Sequence, residues 1–248
     1  MPTGGMTTFS VIIPTRNRPS YLRDAIASLL DQDARPDEII VVDDGSGAAA
    51  TAGGISDSVR VLGNRGRGPV AARNLGVLAA TCDCIAFLDD DDWLTDRSYF
   101  AHAAQNFEAG AEFCFGDGTL VYDDGRPNLG FAFPADATSL ERDNTILISA
   151  VSYRRRLHDR LGTFDETLPY YWDWDWYLRV ARSGARLHHH AQSVVAIRVH
   201  ASNMSGVAME EARRANLEAL ARKHGLPPLT LKNHRSIAEQ VDDGEATY

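Results

Sequence analysis

Four consecutive aspartates, Asp89, Asp90, Asp91 and Asp92, follow the apolar run CIAFL at residues 84–88. Carboxylates crowded on one turn repel one another, so the arrangement is costly unless a cation sits among them. Hard divalent ions such as Mn²⁺ and Mg²⁺ take oxygen ligands and keep places for waters and phosphate oxygens. A carboxylate pair spaced i, i+2 can reach such an ion together from a tight loop. The plain alternative is a solvated acidic turn capping the next helix. Two further polar clusters close apolar runs: Thr15-Arg16-Asn17 after residues 9–14, and Asp43-Asp44 after residues 38–42. A third acidic pair, Asp173 and Asp175, is interleaved with Trp172, Trp174 and Trp176.

These clusters need elements that bring them together. Residues 9–14, 38–42, 59–62 and 84–88 read as buried strands, alternating with helical patterns that open at Pro19 and near Val70. That order gives an α/β chain with a Rossmann-like, mostly parallel sheet flanked by helices. Its strand carboxyl ends would place the three polar clusters on one edge, where open α/β sheets bind ligands. The result is a nucleotide site without a phosphate-binding glycine loop, since residues 63–68 match neither a Walker A nor a dinucleotide fingerprint. Beyond it, residues 112–115 and 119–122 read as strands joined by a Gly116-Asp117-Gly118 turn. Residues 123–145 read as a polar loop, a candidate acceptor-side lid. A helix is expected over 173–183, strands over 185–189 and 194–199, and a charged amphipathic helix over 209–224. The tail over 226–248 reads as loosely ordered.

Composition bounds the function. The 248 residues carry a net charge of −9, with 44% hydrophobic and 24% charged residues, an ordinary globular balance. Nothing supplies the basic face a nucleic-acid binder needs. Cys82, Cys84 and Cys114 suit neither a disulfide framework nor a zinc site. No signal peptide or apolar run of membrane-spanning length is evident, so a cytoplasmic protein is expected. In a strand the side chains of His188, His189 and His190 alternate faces and cannot converge on one ion, so the run reads as incidental.

FSVIIPTRNRP, EIIVVDDGS, GPVAARNLG and CIAFLDDDDW, in this order, resemble the donor half of family 2 glycosyltransferases. GTFDE at 162–166, WDWDW at 172–176, and Arg198-Val199-His200 with Asn203 and Ser205 extend the resemblance to about residue 205. It implies a single GT-A domain over 8–225: a donor half over 8–93, an acceptor half over 94–205 and a C-terminal helix over 206–225. It also implies an inverting enzyme that moves a sugar from a nucleoside-diphosphate sugar to a hydroxyl of a saccharide or natural product. A UDP-sugar is the preferred donor, with dTDP- and GDP-sugars as alternatives; a homodimer is compatible with it.

By the same resemblance, Pro14, Thr15 and Arg16 line the nucleoside pocket, and either Asp43 or Asp44 meets the base edge. Arg67 or Arg73 faces the diphosphate, beside Asp90. Asp89 and Asp91 match the D-x-D motif that holds a Mn²⁺ or Mg²⁺ ion, with Asp92 and His200 as further ligands. Asp173 matches the catalytic base. The family often has Glu-Asp there and this chain has Trp172-Asp173, which leaves Asp175 as the other candidate. Tyr170, Tyr171 and the three tryptophans form either an aromatic platform for the acceptor or part of the core. A nucleotidyltransferase and a non-catalytic nucleotide-sugar binder are the rival readings.

Overall fold

Apolar alternation decides which way each central strand faces. In β1 (Phe9–Thr15), Phe9, Val11 and Ile13 enter one core and Ile12 enters another; in β2 (Glu38–Asp43), Ile39 and Val41 oppose Ile40 and Val42. Strands buried on both faces must read as near-continuous apolar runs, as these do. The computed structural model of the chain describes residues 6–47, 56–200 and 209–242. Helices α1 (Pro19–Leu30) and α3 (Tyr99–Glu108) cover the first face. Helices α2 (Pro69–Ala79), α6 (Trp172–Arg182) and α7 (Glu210–His224) cover the second.

The remaining strands are β3 (Val59–Gly63), β4 (Cys84–Phe87), β5 (Trp93–Leu94), β6 (Phe113–Tyr122), β7 (Leu129–Phe131), β8 (Val151–Arg154) and β9 (Leu187–Val199). Among the described residues nine strands form one sheet in the order β3-β2-β1-β4-β8-β6-β9-β5, with β7 on β6. The first four are mutually parallel, and Thr15 lies opposite Asp43 in the β1–β2 register. Leu88 N donates to Ile12 O at 3.2 Å, so β4 ends beside β1 and delivers the 89–92 loop to the same edge.

Helix α2 lies close on β1 because Gly76 has no side chain. A Cβ there would come within 2.5 Å of Ile12 Cγ2, and Ile12 is fully buried. Gly76→Ala is therefore expected to destabilise the chain by about 1–3 kcal/mol through overpacking. A denaturant titration that gave an unchanged midpoint would contradict this close packing.

Several expected elements differ. Residues 113–122 form one strand without a turn at Gly116-Asp117-Gly118. These glycines serve close packing: a Cβ would fall 2.6 Å from Val194 Cγ2 at Gly116 and 2.5 Å from Leu147 Cδ1 at Gly118. The register against β9 shifts at Asp117, the mark of a bulge. The two strands expected at 185–189 and 194–199 are likewise one strand, β9, continuous through exposed Ala191, Gln192 and Ser193. The 123–145 segment contains β7 and a short helix, α4 (Ala137–Leu140), held by an Asp136–Ser139 capping box. A second short helix, α5 (Arg156–Leu161), follows β8. The expected loose tail is ordered as far as α8 (His234–Asp242), where Ile237 and Ala238 bury into the first core. No helix among the described residues is long and apolar enough to cross a membrane.

Candidate active site

The carboxyl edge of β1, β2 and β4 opens into a cavity of about 390 Å³, lined by Pro14, Thr15, Arg16, Arg18, Asp44, Pro69, Arg73, the four 89–92 aspartates and Ile197. Each acid there is held in a different way. Asp90 accepts from Thr15 Oγ1 at 2.7 Å and from Arg18 Nη1 at 3.2 Å. Asp91 Oδ2 lies 2.6 Å from Arg18 Nη1 and 3.0 Å from His200 Nε2. Asp92 accepts from Ser149 Oγ at 2.6 Å and from Arg198 N at 3.1 Å. Asp89 is ion-paired with Arg73, and its N–H donates to Ser149 Oγ at 3.0 Å.

Burial raises the carboxyl of Asp90 to about 6, although the Thr15 hydrogen bond opposes it. Burial, then the charges of Asp91 and Asp89, push Asp92 well up; Asp89 is raised by burial against the pull of Arg73. A cation among these groups would reverse that cost. Asp89, Asp91 and Asp92 present ligand atoms all within 4.8 Å of one another. Three convergent oxygens from adjacent residues are a donor set that fits a hard divalent ion.

Asp43 and Asp44, alike in sequence, separate in space. Asp43 Oδ1 accepts from Ser46 N at 2.7 Å and Ser46 Oγ at 2.8 Å, which shapes the turn after β2. Asp44 lines the cavity, its Oδ1 accepting from Asn64 Nδ2 at 2.7 Å and Gly68 N at 3.0 Å, with Arg16 Nη1 3.9 Å from Oδ2. The glycine-rich turn thus orients an acid. Arg67 and Arg73 also part. Arg67 stands outside the cavity, exposed and paired with Glu166 at 3.2 Å. Arg73 is buried beneath Asp89, with its guanidinium 4.4 Å from the Trp172 ring centroid.

A second cavity, of about 220 Å³, adjoins the first; Arg73 and Asp89 line both. Asp173 lies in it, accepting from Asn144 Nδ2 at 2.8 Å, and burial lifts its carboxyl to about 6. Asp175 points the other way, as a 200° helical offset requires. It is fully buried among Arg179 at 2.9 Å, Lys223 at 2.6 Å and His224 at 2.8 Å. Burial alone would raise Asp175, but hydrogen bonds from His224 and Lys223, with the charge of Arg179, hold it below the ordinary carboxylate value. The three tryptophans are core: Trp172 is 6%, Trp174 3% and Trp176 0% exposed, and Trp176 stacks on His158 with centroids 4.3 Å apart. Tyr170 alone of the aromatic run 170–172, 174 and 176 is only partly buried, and it lines the second cavity.

Sequence reasoning missed several participants. Arg18 stands three residues beyond β1, and its basic type at a strand's carboxyl end was the available signal. Asn144 and Ser149 sit in segments without recognisable pattern. The segment over 230–237 lines the second cavity, with Lys232 Nζ 2.8 Å from Asp143 Oδ1. Within the histidine run, His189 is partnered: its Nε2 is 2.6 Å from Asp117 Oδ1, and its ring stacks on Phe115. Asn203 and Ser205 lie outside the described residues.

The fold recurs in known proteins. At 20% identity the chain superposes on the crystal structure of Staphylococcus aureus TarS 1–349 in complex with UDP-GlcNAc, with a TM-score of 0.71, covering 88% of this chain and 66% of that one. The TarS 1–349 complex with UDP gives a TM-score of 0.67 at 21% identity. Likeness at that level shows the fold, GT-A. In sequence, the Bacillus subtilis glycosyltransferase YwdF is 31% identical over 96% of this chain and 97% of its own length. A pre-mycofactocin glycosyltransferase of Mycobacterium tuberculosis is 42% identical over 33% of this chain and 17% of its own. The pattern of Glycosyl transferase family 2 matches residues 10–153, the stretch that builds the aspartate loop and its supporting strands. With that match and a relative aligned nearly end to end, the chain belongs to glycosyltransferase family 2.

Proposed function

We propose that this glycosyltransferase moves a sugar from a nucleoside-diphosphate sugar, a UDP-sugar first among the candidates, to an acceptor hydroxyl with inversion. One observation carries the reading: an acid-lined cavity and a cavity holding a raised carboxyl adjoin at Arg73 and Asp89. The UDP-GlcNAc and UDP complexes of TarS support the choice of donor class. In this reading Pro14, Thr15, Arg16 and Asp44 receive the nucleoside, Asp44 meeting the base edge. Arg73 and Arg18 lie where a diphosphate would need positive charge. A Mn²⁺ or Mg²⁺ ion held by Asp89, Asp91 and Asp92, with His200 beside Asp91, would neutralise charge on the leaving diphosphate.

Asp173 then accepts the proton of the acceptor hydroxyl as that oxygen attacks the anomeric carbon. A carboxyl at about 6 is ionised at neutral pH yet basic enough to draw a proton in the transition state. Asn144 fixes its orientation, and the buried aromatic wall keeps water from competing. Donor recognition falls to residues 8–93. Acceptor recognition falls to 94–205 together with the segment over 230–237.

The test is turnover of UDP-, dTDP- and GDP-sugars with Mn²⁺ against a panel of saccharide and alcohol acceptors. Nucleoside-diphosphate release and the product's anomeric configuration would be read by NMR. An α-linked donor should give a β-linked product; a retained configuration would overturn the single displacement.

A further inference from the structure

Behind the aspartate loop, a different set of side chains converges. Asp96 follows β5, His102 lies on α3 and His190 on β9; their ligand atoms all fall within 4.8 Å of one another. Three buried atoms in this group, Asp96 Oδ2, His102 Nδ1 and His190 Nε2, have no hydrogen-bond partner among the described residues. Buried polar atoms are rarely left unpaired, and three in one group of side chains are rarer still. His102 Nδ1 stands 3.6 Å from Asp96 Oδ2, too far for a hydrogen bond. Yet 3.6 Å is close to the separation, about 3.3–3.6 Å, between neighbouring ligands of a tetrahedral ion with bonds near 2.0–2.2 Å.

The surroundings fix these ligands. Asp96 Oδ1 accepts from Ser98 N at 2.9 Å, which leaves Oδ2 turned toward the histidines. Asp96 O accepts from Gln32 Nε2 at 2.8 Å, tying the turn to the end of α1. The His102 and His190 rings lie 5.0 Å apart at 32°. Gln192 lies within hydrogen-bonding reach of the His190 ring. Partners of this kind orient the imidazoles of metal centres.

We propose that Asp96, His102 and His190 form a second metal site, selective for a borderline cation such as Zn²⁺, with a fourth position open to water. Two imidazoles and one carboxylate favour Zn²⁺ over the hard ions that suit the all-oxygen cluster in the donor cleft. The site would staple the β5–α3 turn to β9. Trp93 and Leu94 of β5 pair with Ala196 and Val195 of β9, directly after the 89–92 loop and just before Arg198 and His200. Its task is thus to brace the two segments that frame the 89–92 aspartates. It stands independently of the donor reading.

The test is Zn²⁺ binding to the full, tag-free chain, measured by competition with a chromophoric chelator and by melting temperature. Wild type is expected to bind Zn²⁺ at this site and to melt higher with it, and Asp91→Asn, which alters only the aspartate cluster, to keep both. His102→Ala and His190→Gln should bind at least about tenfold more weakly and lose the Zn²⁺-dependent rise. Co²⁺ titrated into wild type should give the strong visible absorption of a four-coordinate ion, which keeps the test decisive should a variant fail to fold. Equal Zn²⁺ binding by both histidine variants, loss of binding in Asp91→Asn, or a weak octahedral Co²⁺ spectrum would each overturn the proposal.

Discussion

Asp173→Asn is expected to reduce kcat by about 10²–10⁴-fold while donor-nucleotide affinity stays within about twofold. The asparagine keeps an oxygen to accept from Asn144 Nδ2, so the geometry persists and only the proton acceptor is lost. Stability should move the other way. The folded carboxyl lies at about 6 against an ordinary 3.8, so the folded state holds its proton more tightly than the unfolded chain. Stability therefore falls as pH rises between those two values and stays at the lower level above them. The ionised side chain costs the fold about 1–3 kcal/mol at neutral pH, and the asparagine removes that cost. Wild-type kcat should drop on the acid side, below about pH 6, as the base is protonated. Asp175→Asn is the opposing control. It strips one buried partner from Arg179, Lys223 and His224, and should lower stability by about 2–3 kcal/mol, discounted for the partly exposed Lys223. At a temperature where it is folded it should still turn over. A dead Asp175→Asn beside an active Asp173→Asn would reverse the assignment.

The second large effect is expected at Asp91. Asp91→Asn removes one of three convergent oxygens and should weaken Mn²⁺-dependent donor binding, with kcat/KM falling on the order of 10²–10³-fold. Without metal, the melting temperature should change little. The lost contacts to Arg18 and His200 are offset by relief of repulsion on Asp89, Asp90 and Asp92. Calorimetric titration of nucleotide with and without Mn²⁺ separates the two effects, because a merely structural role would change both curves alike.

The acid-lined cavity of this molecule is legible in its sequence because strand ends announce themselves. Apolar runs fix β1, β2 and β4, and polar residues directly after them must share an edge. Which of two neighbouring acids faces the cleft is a matter of turn geometry, and nothing in Asp43-Asp44 shows it. Ser46 claims the first and Asn64 orients the second. Asp173 and Asp175 are told apart by helix phase together with the cations that α7 brings from fifty residues away. Gly116 and Gly118 read as a turn because close packing and turning both call for glycine, and only the approach of Val194 and Leu147 distinguishes them. The second cavity is the least legible part. Its wall comes from the irregular segment near Asn144 and from residues 230–237, which run into α8 and whose apolar residues are too sparse to show a period. The Asp96–His102–His190 group is invisible for a related reason: its members are separated in sequence and meet only through sheet order.

The proposed nucleotide site works with a divalent ion, and the most direct test is the melting temperature of the full chain with UDP, dTDP, GDP and CDP, each with and without Mn²⁺. Stabilisation by one nucleotide, UDP first among them, appearing only with the metal and amounting to about 2.7 kcal/mol at a hundredfold excess over Kd, is the predicted result. No shift with any nucleotide, or the same shift with and without Mn²⁺, would contradict it.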